Sequence, residues 1–266
     1  MDNRAIGIFD SGLGGLTAVD ALRKLMPWEN IVYFADSARV PYGAKSRDEL
    51  LIMTRQDLQF MASFSAKFVI AACGTVSSNA AGILEEFPIP CIGVLKPGIR
   101  ELSCVPGSAP LGIIATSASI RAGAFRRELE GMCPDRDVVD LACPDFVPLI
   151  EGGHTEPGDV ELQEAVERSL APAKAAGIAA LLLGCTHYGI IAPAIRNYLG
   201  PEVRLISASE SSAREACLRL SQQGLTGGSG ETLYYTSGPA EEFSAAASRL
   251  LGREIHARHV PPLEIK

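Results

Sequence analysis

Short apolar runs rich in branched residues alternate with helical patterns along the whole chain. That alternation admits one kind of architecture, βα units wound around mostly parallel sheets. The runs predict strands near residues 5–9, 31–34, 68–72, 91–94, 111–115, 138–142, 179–183, 203–206, 232–235 and 256–260. Helices fall between them. Leu16, Val19, Ala21, Leu22 and Leu25 make a one-sided stripe that Pro27 stops, and Val160, Leu162, Val166 and Leu170 mark a helix over 159–176 closed by Gly177.

The pattern is used twice. AIGIFDSGLGGLTAVDALRK, from Ala5, resembles PLGIIATSASIRAGAFRREL, from Pro110: a strand, a small polar turn and a helix. FVIAACGT (68–75) and ALLLGCTH (180–187) repeat at nearly the same offset, each an apolar run that stops at a cysteine. The chain is therefore expected to fold as two pseudo-symmetric, doubly wound α/β domains with the active site in the cleft between them. Proline and glycine in VLKPG (94–98) and CVPGSAP (104–110) mark the crossing, and a return near Ser207 predicts a first domain of residues 1–96 plus 208–266 and a second of 97–207.

Composition removes several function classes. With 266 residues, 47% of them apolar, the chain can bury one large core or two ordinary ones. A net charge of −7 argues against a general nucleic-acid binder, which needs a basic face. No apolar run approaches the roughly 18 residues of a membrane helix, and the opening MDNRAIGIFD has no basic stretch followed by a long apolar one, so a cytoplasmic protein is expected. Seven cysteines, an odd number without CxxC, favour reduced thiols over a disulfide framework or a zinc ribbon.

Cys73 and Cys185 then become candidates for paired chemistry, because a strand-end residue in an open α/β sheet faces the usual ligand site and a thiolate is both nucleophile and base. The competing reading is a small buried hydrophobe at each strand end. FDSGLGG (9–15) sets Asp10 and Ser11 after the first strand, with glycines that let backbone amides approach a ligand anion. The string GLGGLT has threonine where a dinucleotide fingerprint has its third glycine, and Asp10 is read either as a helix cap or as a carboxylate beside the site. Pro41, Tyr42 and Gly43 form a stiff turn in DSARVPYGAKS (36–46). His187 lies two residues from Cys185; it tunes that thiol or, with too few clustered ligands to favour it, belongs to a metal site.

Six ordered motifs, FDSGLGGLT (9–17), YFADSARVPYG (33–43), VIAACGT (69–75), ACPDFVPLIEGG (142–153), LLLGCTHY (181–188) and TSGPAEEF (236–243), resemble the glutamate racemases of the cofactor-independent aspartate/glutamate racemase superfamily. The resemblance implies that Cys73 and Cys185 are acid/base thiols on opposite faces of glutamate, Cys73 acting on the D-enantiomer and Cys185 on the L-enantiomer. Asp10 would support the first thiol and His187 the second, with Glu151 nearby. Asp10, Ser11, Pro41, Tyr42, Gly43, Gly74, Thr75, Thr116, Ser119, Thr186 and His187 would hold the substrate. No cofactor and no metal are implied; the partners are a small-molecule substrate, glutamate, and a second copy of the chain in a homodimer, with no nucleic acid and no membrane. The product would be D-glutamate for peptidoglycan.

The chain departs from that pattern in places. Gly74 stands where the family usually has asparagine, LISASE (205–210) lacks a customary aspartate, and Ala115 and Phe125 replace glycine and tyrosine. These changes leave two other readings: a racemase of aspartate or another amino acid, and a glutamate-binding protein without turnover.

Overall fold

The computed structural model describes residues 2–262. Its strands are β1 (Ile6–Asp10), β2 (Ile31–Ala35), β3 (Phe68–Ala71), β4 (Cys91–Gly93), β5 (Leu111–Ala115), β6 (Val138–Ala142), β7 (Ala180–Leu183), β8 (Arg204–Ser207), β9 (Thr232–Thr236) and β10 (Ala257–His259), each within one residue of its expected bounds. They form two sheets, ordered β10-β9-β2-β1-β3-β4 and β6-β5-β7-β8, with every neighbouring pair parallel. Helices flank both sheets, so β1, β2, β3, β5 and β7 are buried along their whole length and read as unbroken apolar runs.

The repeat seen in the sequence is a repeat of topology. β1 and β5 occupy equivalent central positions, with β2, β3 and β4 around the first as β6, β7 and β8 lie around the second. Cys73 follows β3, and Cys185 follows β7, by the same two residues.

One expectation needs correction. VLKPG is not a connecting loop: residues 95–98 are the first turn of the helix Leu95–Ser103. Proline is tolerated there because first-turn amides have no partner within the helix. Leu95, Ile99 and Leu102 pack with Leu111, Ile113, Leu182 and Ile206, so this helix already belongs to the core of the second sheet. The helix Ala208–Gln222 makes the return journey. Its Ala208 packs in that same core, while Ala213, Ala216 and Leu220 join the core around β1.

At the base of the first sheet Lys67 and Glu29 form an ion pair of 2.6 Å with both side chains fully buried. Lys67 also donates to the carbonyls of Asp2 and Gly227, at 2.6 and 3.0 Å, which ties the start of the chain to the segment before β9. Among the described residues no helix is long and apolar enough to cross a membrane.

Candidate active site

The loops after β1, β3, β5 and β7 meet where the C-terminal edges of the two sheets face each other. They enclose a cavity of about 300 Å³ lined by both cysteines. Cys73 and Cys185 are 4% and 6% exposed, so each sulfur is withdrawn from bulk water while reaching the same space. A larger cavity, of about 600 Å³, lies beyond the helix Leu16–Leu25 among Lys24, Arg196 and Arg214; it contains neither cysteine.

His187 joins Cys185 to Glu151. Its Nδ1 is 3.8 Å from Cys185 Sγ and its Nε2 is 2.7 Å from Glu151 Oε1. That same Glu151 oxygen accepts from the Leu13 amide at 3.1 Å, so the glycine-rich turn after β1 is pinned to the second sheet's machinery. The glycine requirement follows from this contact: a Cβ at Gly14 would come within 2.4 Å of His187 Nδ1 and 2.6 Å of the His187 amide nitrogen. Burial alone would lower the imidazole pKa, but the Cys185 and Glu151 hydrogen bonds outweigh it and hold His187 well above its ordinary range. Burial likewise works against a charged Glu151, and the hydrogen bond from His187 overcomes it, leaving the carboxyl below its usual value. Both shifts favour an imidazolium facing a carboxylate.

The other side is built differently. Asp10, at the end of β1, is fully buried; its Oδ2 accepts from the Gly15 amide at 2.6 Å and from Thr186 Oγ1 at 3.4 Å. It therefore ties down the approach to the helix Leu16–Leu25 and lines the cavity as well. Its Oδ1 is buried without a hydrogen-bond partner among the described residues. Burial raises the Asp10 pKa, countered in part by His187. Burial and then the Asp10 charge push the Cys73 thiol well up, so Cys73 is held protonated.

A strap of Pro41, Tyr42 and Gly43 lines the cavity with backbone and ring, because the Tyr42 hydroxyl points away from it. That hydroxyl donates to Asp36, lies 3.1 Å from Asp57 Oδ2, and shares the pocket with Arg39, whose Nε is 2.5 Å from Asp36. Across the cleft, Thr75 and Thr116 bond through their hydroxyls at 3.0 Å, and Thr116 continues to Ser119 at 3.0 Å.

Of the residues singled out in the sequence, Asp10, Ser11, Pro41, Tyr42, Gly43, Cys73, Thr75, Thr116, Cys185, Thr186 and His187 line the cavity. Glu151, Ser119 and Gly74 do not; they stand behind His187, behind Thr116 and at the contact between the cysteine loops. Sequence reasoning missed Ala44, Ser117 and Arg121, and a wall of Cys143, Pro144, Val147 and Pro148. The signal for that wall was the motif ACPDFVPLIEGG, in which only Glu151 was singled out. The third thiol in the cavity, Cys143, is pushed up to about 12 by burial. Among the described residues no group of three or more histidines, cysteines or carboxylates is placed to hold a metal ion.

The family model for Asp/Glu/Hydantoin racemase matches residues 18–216. The chain belongs to that racemase family. It is 37% identical over 264 residues to a glutamate racemase of Desulforudis audaxviator, covering 96% of each protein. Among solved structures, a glutamate racemase of Bacillus anthracis superposes with a TM-score of 0.93 at 29% identity, covering 99% of this chain and 100% of the other. The Francisella tularensis glutamate racemase in complex with D-glutamate gives 0.89 at 33% identity, with 98% of each chain covered. These racemases share with this chain the two α/β domains that create the cleft.

Proposed function

We propose that this racemase interconverts L- and D-glutamate without a cofactor, by proton transfer between two opposed thiols. The observation that carries the reading is the pair of buried sulfurs, one from each pseudo-equivalent loop, lining a single cavity. Glutamate is the substrate because the relatives matched over nearly their whole length are glutamate racemases. Of the described residues, those up to Val94 with those from Ala208 onward form one half of this enzyme, and the helix Leu95–Ser103 through β8 forms the other.

The α-proton of an amino acid is a very weak acid, and inversion must return a proton to the opposite face, so two poised groups are needed across the substrate. In the L to D direction the Cys185 thiolate takes the α-proton and becomes a thiol. The electron pair released from the Cα–H bond spreads into the α-carboxylate, and the Cys73 thiol delivers its proton to the other face, becoming a thiolate. The reverse reaction exchanges the roles. The protonated state of Cys73 suits it to donate first. The His187 imidazolium, backed by Glu151, stands where it neutralises a thiolate at Cys185. Asp10, through its unpartnered Oδ1, accepts from Cys73 or from the substrate ammonium. Ser11, Thr75, Thr116 and Thr186, with the backbone of residues 41–43, hold the substrate, and Gly74 and Ser119 set the loops that carry them. The cell-wall polymer peptidoglycan is the destination of the D-glutamate formed.

The test is exchange of the α-proton of L- and D-glutamate with deuterated solvent. Exchange of both enantiomers together with inversion is expected. Absence of exchange from either enantiomer removes the reading.

A further inference from the structure

One charged side chain at the cavity, Arg121, takes no part in the proton transfer. Arg121 lines the mouth, exposed, one turn beyond Ser117 on the same face of the helix Ser117–Ala122, and Ser117 lines the cavity too. No hydrogen bond or ion pair involves Arg121 among the described residues. Among the described residues no lysine, asparagine or glutamine lines the cavity.

Glutamate brings two carboxylates and one ammonium into this space. The reacting carbon has to lie between the sulfurs, which sets its carboxylate within reach of the amides and hydroxyls of Thr75 and Thr186, which flank the cysteines. Asp10 matches the ammonium. The distal carboxylate is left with neutral donors, Ser11, Thr116, Ser117 and the backbone of residues 41–43; the Tyr42 hydroxyl is committed to Asp36 and Asp57, and Pro144, Val147 and Pro148 present an apolar wall. A side-chain amide, such as an asparagine at position 74 would offer, is absent. A second carboxylate confined there without a counter-charge would be costly, whereas a guanidinium recognises it through paired N–H donors.

We propose that Arg121 is the specificity-determining residue of this site, its guanidinium taking the distal carboxylate of a dicarboxylic amino acid at the cavity mouth. The proposal rests on the racemase reading above. It makes selection for an acidic side chain a property of the second sheet's first helix, separate from the proton-transfer groups.

The test compares the parent enzyme with Arg121→Met and Arg121→Lys, measuring KM and kcat for glutamate across a salt series, with glutamine as a neutral competitor. Arg121→Met is expected to raise KM about tenfold or more, the loss typical of one charge-assisted hydrogen bond, with kcat little changed. Arg121→Lys should recover most of that loss. In the parent, KM for glutamate should rise with salt while inhibition by glutamine does not, and Arg121→Met should flatten the salt response. Unchanged KM and salt response in Arg121→Met overturn the proposal. A parent KM indifferent to salt overturns it without any variant. A parent that exchanges no α-proton removes the racemase reading instead, so the two failures are distinct.

Discussion

A Cβ placed on Gly74 would stand 2.0 Å from the carbonyl oxygen of Gly184, a separation no side chain tolerates. The two loops that carry the sulfurs approach backbone to backbone at this point, and the missing side chain is what permits it. The glycine is thus part of how closely the two halves meet, as well as the loss of an amide from the site. Gly74→Asn is expected to reduce kcat/KM by roughly 10- to 100-fold, because a displacement near 1 Å between reacting groups has effects of that size. Gly74→Ala should show most of the same loss. Steady-state kinetics on both variants check this; parent-like activity in Gly74→Asn would show that the loops move apart freely.

Replacing either sulfur should stop inversion while leaving the fold standing, since both cysteines sit at strand ends beside the cavity and not in the middle of a packed sheet. Cys73→Ala and Cys185→Ala are each expected to lose racemisation by at least about 10²- to 10⁴-fold, the range of a positioned acid or base. Circular dichroism at constant glutamate follows inversion, and thermal unfolding verifies the fold.

The His187 and Glu151 pair gives stability a pH signature. His187 has its pKa raised on folding above the ordinary 6.5, so its contribution is complete below that value and is lost as pH rises through the folded pKa. Glu151 has its pKa lowered from 4.5, so its contribution is present above that value and is lost as pH falls through the folded pKa. The melting-temperature gap between the parent and Glu151→Gln should therefore be widest between pH 4.5 and 6.5 and narrow on both sides. A gap independent of pH would mean the pair is not charged in the folded enzyme.

Asp57 is predicted to be a neutral acid. Burial and then the neighbouring Asp36 raise its pKa well above the carboxylate range, against the pull of Arg39. The Tyr42 hydroxyl bridges the two acids, set against Asp36 and 3.1 Å from Asp57 Oδ2. Asp57→Asn, which keeps a donor, should change stability by less than about 1 kcal/mol, whereas Asp57→Ala should cost about 1–3 kcal/mol and raise KM by loosening the strap at residues 41–43. Urea unfolding alongside kinetics distinguishes the two; equal losses in both variants would place a charged carboxylate at position 57.

The strands were legible because their signal is local. Runs such as IGIF and ALLL are apolar on both faces, and only a covered parallel sheet consumes such runs. The helix at Leu95 was not legible, because Pro97 and Gly98 look like a turn until the rest of the helix finds a core to pack on. Within the site, residues in short motifs next to strand ends reach the cavity, as Cys73, Thr75, Cys185 and Thr186 do. Arg121 and Val147 gave no such sign, since a basic residue on a helix and an apolar residue in a motif have commoner fates on a surface and in a core.

The sequence by itself determined the βα alternation, its duplication and the two cysteines at equivalent strand ends, because each depends on residues near one another along the chain. Only the tertiary structure decided that His187 stands between Cys185 and Glu151, that the Tyr42 hydroxyl turns from the cavity towards Asp36 and Asp57, and that Gly74 meets Gly184. Some of these residues are near in the chain, as Cys185 and His187 are, but the partner that fixes the side chain, Glu151 for His187 or Gly184 for Gly74, comes from a distant segment. Side-chain direction is set by packing within each half, and the Gly74 to Gly184 approach by how the two sheets face each other, which no local pattern encodes.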